Sequence, residues 1–395
     1  MDLPIAVGEV KVMNEILNAD LNEYLKCAEA EFEDLLKTIA TIPAPSGHEE
    51  KRAEFCKKWL CDIGAEGVYI DDALNVVYPL CSDGCDDIVV FMAHTDIVFP
   101  DEKIEFTKDD KYYYAPGVGD DTCSLAVMLM IIRYIVQKGI KPKQGILFVA
   151  NSCEEGLGNL KGSKQIMSDF EGRVKEFYTF DGKYNAVVNR SVGSHRYEIE
   201  CRTEGGHSFG AFGNTNAIVE LSKLICRLSE IEVPKKENCK TTYNVGLIEG
   251  GTSVNTIAQN AKMLYEYRSD DVECLDYMKK TFDGIVEEFK SQTKAEIEVK
   301  VVGMRPCGEV KPELRELHAQ MLDRVQTICQ KHSGMECLAT SGSTDANAAM
   351  AMGVPALCPG VYMGGGAHTR GEYVEIASIP VGLKIAAEII LYYFH

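Results

Sequence analysis

Ile88-Val89-Val90-Phe91-Met92-Ala93-His94-Thr95-Asp96 is an unbroken apolar run that ends in a histidine and, two residues later, a carboxylate. Such a run, rich in Val and Ile, is typical of a strand buried on both faces of a parallel sheet. Parallel sheets place their chemistry at the carboxyl ends of the strands. A carboxylate that accepts one imidazole N–H leaves the other ring nitrogen free for a metal, so His94 and Asp96 can act together. Taken alone, such residues are more often an ordinary strand-end histidine and a turn residue.

The composition limits the classes of protein to consider. A chain of 395 residues exceeds the size at which one hydrophobic core usually stops growing, so two domains are expected. The net charge of −19 argues against nucleic acid and against an anionic membrane surface, because little would neutralise phosphates. The apolar tail Val381 to Phe394 contains Lys384 and Glu388 and is too short to span a membrane, so an amphipathic helix is predicted there.

The cysteines predict a reducing environment. There are 15 of them, an odd number in a long chain, and the first thirty or so residues lack the pattern of a secretory signal. We therefore expect reduced thiols in a cytoplasmic protein. The closely spaced pairs, Cys81 with Cys85 and Cys56 with Cys61, have no second pair at zinc-ribbon spacing and are interpreted as structural.

Strands and helices alternate through both outer portions of the chain. Helical spacing of apolar residues and short apolar runs predict helices at 21–40, 49–63, 122–136, 312–331 and 381–394, and buried strands at 88–94, 145–151, 176–180 and 354–359. This interleaving is typical of an α/β domain with a mostly parallel sheet flanked by helices.

The pattern changes between residues 192 and 302. Strands of alternating polarity at 195–200, 243–248 and 261–268 are interleaved with helices at 216–229 and 272–291. They predict a smaller α+β domain with one open sheet face, inserted into the first domain. The predicted domains are therefore 1–191 with 303–395, and 192–302. The insert carries His207 in the glycine-flanked loop Gly205-Gly206-His207-Ser208.

Acidic and imidazole side chains follow several of the predicted buried strands. Each has a simple structural explanation by itself, and Asp120-Asp121 in particular could cap the helix that follows. Together they fall at one edge of the predicted sheet: His94, Asp120, Glu154, Glu155, Asp181 and His368. Two histidines and several carboxylates form the ligand set of a zinc centre or a similar two-metal centre. Two such ions need a bridging carboxylate and hold a water of lowered pKa between them.

This ordered set resembles the co-catalytic di-zinc metallopeptidase family of peptidase T, carboxypeptidase G and the aminoacylases, and is most similar to peptidase T-like members. The resemblance extends from Ser46-Gly47-His48-Glu49 to the final helix. It implies two Zn²⁺ per chain, or Co²⁺ or Mn²⁺ in their place. The implied ligands are His94, Asp120, Asp181, Glu155 and His368, with Asp120 as the bridge and a cis peptide after it. It also implies that Glu154 is the general base and that Asp96 orients His94.

The resemblance also assigns roles to the insert. It implies a lid domain that mediates homodimerisation, with His207 reaching the partner's active site to stabilise the oxyanion. Asn255 matches a lid asparagine, and Arg305 matches an arginine that holds a substrate carboxylate through its planar fork. One departure is that relatives have Asp-Asp-Lys-Gly where this chain has Asp120-Asp121-Thr122-Cys123, so a neighbouring lysine is missing. We expect the metal centre to survive and the substrate preference to shift.

The leading hypothesis is an exopeptidase that hydrolyses di- or tripeptides. The first alternative is a deacylase that removes an acyl group from an amino acid with the same metal chemistry, and the second is an inactive relative that serves as a binding subunit. A cysteine hydrolase using Cys153 or Cys123 is disfavoured, because such a thiol needs an adjacent histidine and nearby carboxylates would raise its pKa.

Overall fold

The structure is a computed structural model and describes residues 19–394. The strands, in chain order, are β1 (Tyr69–Ile70), β2 (Val76–Leu80), β3 (Ile88–His94), β4 (Thr107–Lys108), β5 (Tyr112–Tyr114), β6 (Gly145–Asn151), β7 (Val174–Thr179), β8 (Ala186–Ser191), β9 (Gly193–Arg202), β10 (Gly206–His207), β11 (Thr241–Gly250), β12 (Thr256–Ile257), β13 (Asn260–Ser269), β14 (Glu296–Arg305), β15 (Leu338–Gly342), β16 (Ala356–Pro359), β17 (Gly364–Gly365) and β18 (Tyr373–Glu375). The helices are α1 (Glu29–Ala40), α2 (Glu50–Asp62), α3 (Ser124–Lys138), α4 (Lys161–Asp169), α5 (Ala217–Ser229), α6 (Val272–Gln292), α7 (Arg315–Ser333), α8 (Ala346–Ala351) and α9 (Ile379–Leu391).

The chain divides into two compact units. The second comprises Arg190–Glu309 together with Ser341–Ser343, and the rest of residues 19–394 forms the first. The sequence predicted an insert from 192 to 302, so the observed unit ends later. The predicted boundary at 302 falls inside β14 (Glu296–Arg305), a strand that was not predicted from the sequence. Its exposed face carries charged side chains at 296, 298 and 300, and it lies at the edge of its sheet.

The large sheet of the first unit has the strand order β1-β2-β6-β3-β7-β16-β8-β15. The central strands β6, β3, β7 and β16 run parallel, as predicted. The outer pairs β1 with β2, β2 with β6 and β16 with β8 are antiparallel, so the sheet is mixed. Because the central strands are parallel, their carboxyl ends all reach the same edge of the sheet.

Strand β3 lies at the centre of this sheet and is fully buried along its length. Its side chains alternate between two cores. Val89 and Phe91 pack into the core that contains α3 and α9, whereas Val90 and Met92 pack into the core that contains α4 and α8. Burial on both faces explains why the run has no polar residue before His94.

The last helical region is longer than the sequence predicted. Among residues 19–394, one helical stretch, Ile376–Phe394, is long and apolar enough to cross a membrane by length and composition alone. The expectation that it would be too short was therefore wrong about its length. An 18-residue window of this stretch is 61% buried inside the protein, and Leu383, Ile385 and Ile389 pack into the first core. Its apolar composition is therefore that of a core helix.

The second unit is built on an antiparallel sheet with the order β11-β13-β9-β14. Helices α5 and α6 cover one face of this sheet, where Leu221, Leu224, Met278 and Phe282 pack against its inward side chains. The alternating burial along β9 and β13 leaves the outward residues half-buried or exposed. The unit therefore has the α+β architecture with one open face that its sequence pattern indicated.

Candidate metal centre

The carboxyl edge of the parallel strands brings the predicted metal ligands together. His94 ends β3, Glu154 and Glu155 follow β6, and Asp181 follows β7. His368 comes from the loop between β17 and β18. These residues form overlapping groups whose ligand atoms lie within 4.8 Å of one another: His94 with Asp120 and Asp181, His94 with Glu154 and Glu155, and Asp120 with Glu155 and His368. Segments far apart in the chain thus converge on one cluster.

Asp120 joins the two halves of this cluster. Its Oδ1 lies 3.1 Å from His94 Nε2, and its Oδ2 lies 3.1 Å from His368 Nε2. His368 Nε2 also lies 2.9 Å from Glu155 Oε1. Two ligands of one tetrahedral zinc stand about 3.3 Å apart, which follows from bond lengths near 2.0–2.1 Å. Each oxygen of one carboxylate therefore faces a different imidazole, as a bridge between two ions requires.

The segment around Asp120 is not the helix cap that its sequence also allowed. Helix α3 starts later, at Ser124, without a side-chain cap. Asp121 instead accepts a hydrogen bond from the backbone N–H of His94, with its Oδ2 at 3.0 Å. The peptide bond between Asp120 and Asp121 is cis. Asp120 thus contacts the ring of His94, and Asp121 contacts its backbone N–H, so both aspartates bind the last residue of β3.

The ring of His94 is oriented by Asp96. His94 Nδ1 lies 3.0 Å from the backbone oxygen of Asp96 and 3.4 Å from its Oδ1. Since both neighbours are acceptors, Nδ1 donates its proton to them, which leaves Nε2, on the side of Asp120, as the nitrogen that a metal ion would bind. The sequence assigned this orienting role to the carboxylate of Asp96, but the nearer acceptor is the carbonyl of the same residue.

The carboxylate of Asp96 has a second task that the sequence did not indicate. Its Oδ1 accepts the backbone N–H of Glu154 at 2.9 Å, and its Oδ2 accepts that of Glu155 at 2.8 Å. Ser46 Oγ donates to Oδ2 at 2.6 Å. Burial by itself would raise the pKa of Asp96, but its hydrogen bonds, including those with His94 and Ser46, lower it overall. Asp96 therefore sets the position of both glutamates.

Glu49 holds the backbone N–H of the residue before Glu154. It is fully buried, and its Oε1 accepts the backbone N–H groups of Gly47 at 2.8 Å and Cys153 at 3.0 Å. Burial raises the pKa of its carboxyl group. From the sequence, Glu49 was interpreted only as part of a motif at the start of a helix. Glu49 and Asp96 together hold three consecutive N–H groups, those of residues 153, 154 and 155.

Glu372 was also missed as a functional residue. Its carboxylate accepts the backbone N–H groups of Gly117, Gly119 and Asp120 at 2.8–2.9 Å. Burial raises its pKa to about 7, although these N–H groups favour the charged form. The only sequence signal was an acid four residues after His368. Glu372 holds the loop that carries the bridging Asp120.

The electrostatics of the cluster fit a divalent cation. Burial and the neighbouring Asp120 raise the pKa of Asp181 to about 7. Burial alone would lower the pKa of His94, but Asp120 and Asp96 raise it well above its usual range. Hydrogen bonds to Asp120 and Glu155 raise the pKa of His368 to about 10. Buried carboxylates this close repel one another, and a cation between them would relieve that repulsion. Imidazole nitrogen and carboxylate oxygen are donors that zinc accepts.

Two of the remaining predicted site residues lie at one two-stranded sheet of the second unit, which we call the β10–β12 pair. His207 and Asn255 are exposed and lie at the β10–β12 pair, where Ser208 N–H donates to Asn255 O at 3.0 Å. His207 Nδ1 accepts the backbone N–H groups of Phe209 and Gly210, each at 3.3 Å. Neutral His207 therefore carries its proton on Nε2, the nitrogen that can donate to an oxygen.

Arg305 lies elsewhere in the second unit. It ends β14 and is 5% exposed. Its Nη1 donates to Ser343 O at 3.2 Å and lies 3.3 Å from Ser343 Oγ. The guanidinium is thus held inside the unit, and its contact with a substrate carboxylate stays a prediction.

The raised pKa values of the two thiols do not support the cysteine hydrolase hypothesis. Cys153 Sγ donates to Glu49 Oε1 at 3.4 Å, and its pKa is raised to about 12, chiefly by burial and then by Glu49. The pKa of Cys123 is raised well above its usual range by burial, with Asp121 adding to the effect. Thiols of this kind are poor nucleophiles at neutral pH.

Comparison with known proteins identifies relatives over almost the whole chain. Carboxypeptidase G2 of Pseudomonas sp. (strain RS-16) is 25% identical over 336 residues, which cover 82% of this chain and 78% of that protein. Succinyl-diaminopimelate desuccinylase of Corynebacterium glutamicum is 24% identical and covers 87% of this chain and 92% of its own length. A tripeptidase structure from Staphylococcus aureus superposes with a TM-score of 0.70 at 22% identity, covering 91% of this chain and 98% of that one.

The family assignment rests on a match that includes the whole cluster described above. The model of peptidase family M20/M25/M40 matches residues 90–392, which include the ends of β3, β6 and β7 and the His368 loop. The chain belongs to peptidase family M20/M25/M40 and is a metal-dependent peptidase or amidohydrolase.

Proposed function

We propose that this chain is a two-zinc exopeptidase that hydrolyses di- or tripeptides. The observation that carries the proposal is Asp120, whose two oxygens each lie 3.1 Å from the Nε2 of a different histidine. A carboxylate in this position suits a centre for two ions, which is the usual site for water-driven amide hydrolysis. Similarity to the Staphylococcus aureus tripeptidase over 91% of the chain supports a small peptide as substrate.

The ligands divide into two sets that share the bridging carboxylate. His94, Asp181 and Asp120 would hold one ion, and Glu155, His368 and Asp120 would hold the other. We propose Zn²⁺ for both, and Co²⁺ or Mn²⁺ can bind the same imidazole and carboxylate donors. Ions held there would supply polarisation of the scissile carbonyl and a water of lowered pKa.

Glu154 is the proposed general base. Its carboxyl group lies within 4.8 Å of ligand atoms of His94 and Glu155, which places it beside the reacting atoms. It takes the proton of the attacking water and then delivers it to the leaving amine. The hydrogen bond from its own backbone N–H to Asp96 holds Glu154 in place for both transfers.

The second unit supplies the proposed substrate contacts. We propose a homodimer in which the partner subunit's His207 donates from Nε2 to the developing oxyanion, while Asn255 contacts the substrate and Arg305 holds its carboxylate. The Nδ1 contacts of His207 support this because they leave Nε2 as the donor. We also propose a cytoplasmic location, since all 15 cysteines are free thiols.

A second candidate is an N-acyl-amino-acid deacylase. The desuccinylase of Corynebacterium glutamicum, which covers 87% of this chain, favours it, and the same metal chemistry cleaves either amide. The two activities differ at the amine of the substrate, because an exopeptidase of this kind must accept a free α-amino group and a deacylase must accept an acylated one. An inactive relative is disfavoured, because all five ligands and Glu154 are present and converge.

The deciding experiment compares three leucine substrates on the full-length protein. Leu-Gly-Gly, Leu-Gly and N-acetyl-leucine are incubated with zinc-loaded protein and with protein treated with a chelator, and free leucine and acetate are measured. We expect leucine to be released from one or both free peptides, to stop on chelation and to return with Zn²⁺.

Other outcomes distinguish the alternatives. Release of acetate from N-acetyl-leucine with both peptides left intact would contradict the peptidase proposal and favour the deacylase. Metal analysis of the same sample provides the control. Much less than one zinc per chain after zinc supplementation would contradict the two-zinc centre and favour the inactive relative.

A further inference from the structure

A second group of metal-binding side chains lies within the second unit. Cys239, Asp271 and Cys274 each offer one ligand atom, and these atoms lie within 4.8 Å of one another. Cys274 and Asp271 are buried, and Cys239 is half-buried. Asp271 is the N-cap of α6 and Cys274 lies in its first turn, whereas Cys239 belongs to the loop before β11. None of these residues contributes to the metal centre described above.

The backbone brings the two thiols to the same place. Cys239 N–H donates to Lys236 O at 3.2 Å, and Asn238 between them has a φ of 56°. This tight turn directs Cys239 towards the start of α6. A tetrahedral zinc with Zn–S bonds near 2.3 Å separates two sulfurs by about 3.8 Å. The observed separations of up to 4.8 Å therefore need shifts of about 1 Å or less to reach that geometry.

The chemistry of the three donors favours a thiophilic divalent cation. Burial, together with the neighbouring Cys239 and Asp271, raises the pKa of Cys274 to about 12, so its thiolate requires a positive partner. The start of α6 offers part of that charge, because a helix N-terminus stabilises thiolates. Two thiolates and one carboxylate form a soft set that selects zinc-like ions over Mg²⁺ or Ca²⁺.

Lys236 shows that positive charge is already attracted to this cluster. Its Nζ lies 2.5 Å from Asp271 Oδ2 and 3.1 Å from Glu273 Oε2. The side chain of Lys236 is 46% exposed, and that of Glu273 is 85% exposed. Lys236 can therefore turn towards Glu273 and leave Asp271 Oδ2 to a metal. Asp271 Oδ1 would continue to accept the N–H of Cys274 at 3.0 Å.

We propose that Cys239, Asp271 and Cys274 bind one zinc-like divalent cation, with solvent as the fourth ligand on the side of the half-buried Cys239. The two thiols lose their protons to solvent as the cation binds, so charge and atoms balance. The bound ion ties the loop before β11 to the start of α6. The proposal does not depend on the substrate or on the metal centre of the first unit.

A Co²⁺ titration of the full chain under a non-thiol reductant tests this proposal. Thiolate ligands give Co²⁺ an intense near-ultraviolet charge-transfer band, whereas the imidazole and carboxylate donors of the first unit give none. We expect Co²⁺ added beyond the two ions of the first unit to bring that band in the wild-type protein to the intensity of one thiolate-bound ion per chain. Cys239→Ser and Cys274→Ser should each abolish it. Cys226→Ser is the matched control, because Cys226 is an exposed cysteine on α5 of the same unit, and it should retain the band.

The variant Lys236→Met tests the competition at Asp271. Removal of a partly exposed ion pair should tighten Co²⁺ binding at the thiolate band by about two- to fivefold. Unchanged or weaker binding in this variant would contradict the role of Asp271 as a ligand.

A measurement on the wild-type protein avoids any dependence on folding of the variants. Iodoacetamide labelling followed by mass spectrometry reports each cysteine separately. Zn²⁺ should slow the labelling of Cys239 at least several-fold and leave that of Cys226 unchanged. The proposal is overturned if no thiolate band forms in the wild type, if the band survives both serine variants, or if Zn²⁺ does not protect Cys239.

Discussion

The metal centre of the first unit and the β10–β12 pair of the second unit, which carries His207 and Asn255, are built in opposite ways. In the centre, Asp120 and His94 are held by hydrogen bonds from segments distant in the chain. In the β10–β12 pair, the ring of His207 contacts the N–H groups of its own loop and is exposed. Phe209 beside it is 89% exposed. The ligands of the centre are therefore all present within one chain, whereas an exposed apolar loop such as the one at His207 is typical of a surface that another molecule covers.

This difference indicates how the two regions should respond to change. A substitution in the centre should alter metal binding or the chemical step inside one chain. A substitution in the β10–β12 pair should leave the metal in place and act only through the neighbouring subunit. The predictions below test this contrast, beginning with the largest expected effect.

Glu154→Gln should separate chemistry from metal binding within the centre. Glutamine keeps the size of the side chain but cannot take the proton of the attacking water, so kcat should fall about 10²–10⁴-fold. Metal content, measured by elemental analysis, should remain at the wild-type level. Glu155→Gln is the control, because loss of a ligand should lower the metal content as well. Equal metal loss in both variants would show that base and ligand had been confused.

His207→Ala should reduce kcat/KM by about 10²–10³-fold with the metal content unchanged, because one oxyanion donor is lost. Mixing this variant with Glu154→Gln tests whether His207 acts across subunits. In a dimer of the two variants, one site would keep Glu154 and meet the intact His207 of the other chain. An equal mixture should then recover about a quarter of the wild-type activity, measured after the subunits have exchanged. No recovery would place His207 and Glu154 of one site on the same chain.

Glu372→Gln should weaken metal binding without removing a ligand. The amide retains one acceptor oxygen but presents an NH₂ group to backbone N–H groups that now face a carboxylate, so the Asp120 loop should loosen. We expect metal affinity to fall about 10–100-fold, measured by competition with a chelator. Glu375→Gln, a change at the end of β18, the strand that begins directly after Glu372, is the matched control and should leave affinity unchanged. A wild-type affinity in Glu372→Gln would contradict the role assigned to this residue.

Glu388→Gln should have a small effect that does not depend on metal. Hydrogen bonds from His332, and then from Lys331, lower the pKa of Glu388 to about 2. A lowered folded-state pKa stabilises the protein above the unfolded pKa of about 4.5, and the benefit is lost as the pH falls towards 2. The variant should therefore lose about 1 kcal/mol or less of unfolding free energy at pH 7, since the pair is partly exposed.

The Glu388→Gln effect is measured by denaturant unfolding between pH 7 and pH 3, with and without chelator. The difference from wild type should shrink as the pH falls and should be the same in both conditions. If the difference disappeared on chelation at pH 7, the expectation would be contradicted, because the stabilisation by Glu388 would then depend on the metal centre.

Much of the fold and of the centre was predictable because the relevant signals are local. The buried strands β3, β6 and β7 were readable as apolar runs, and each is followed by acidic or imidazole residues. Strand β14 was missed because an edge strand with charged residues on its exposed face lacks a continuous apolar run. The length of the final helix was underestimated, since the helix was predicted from Val381 whereas the helical stretch begins at Ile376.

The residues that position the ligands were not predictable in the same way. Glu372 is 253 residues from Gly119, and Glu49 is 104 residues from Cys153, so no local pattern links either pair. Their partners are backbone N–H groups, which every residue except proline carries and which therefore leave no trace in the sequence. For Asp121, the sequence allowed a helix cap, and only the position of His94 N–H determined its actual partner.

The sequence by itself determined which segments are buried, where each of them ends, and which chemical groups follow, because periodicity and side-chain chemistry are properties of neighbouring residues. Tertiary structure alone decided that Asp120 faces two imidazoles, that Asp96 and Glu49 hold three successive N–H groups, and that Cys239 meets Cys274. These contacts depend on distances between remote parts of the chain. Such distances exist only after the sheet has aligned its strands and the backbone has found its hydrogen-bond partners.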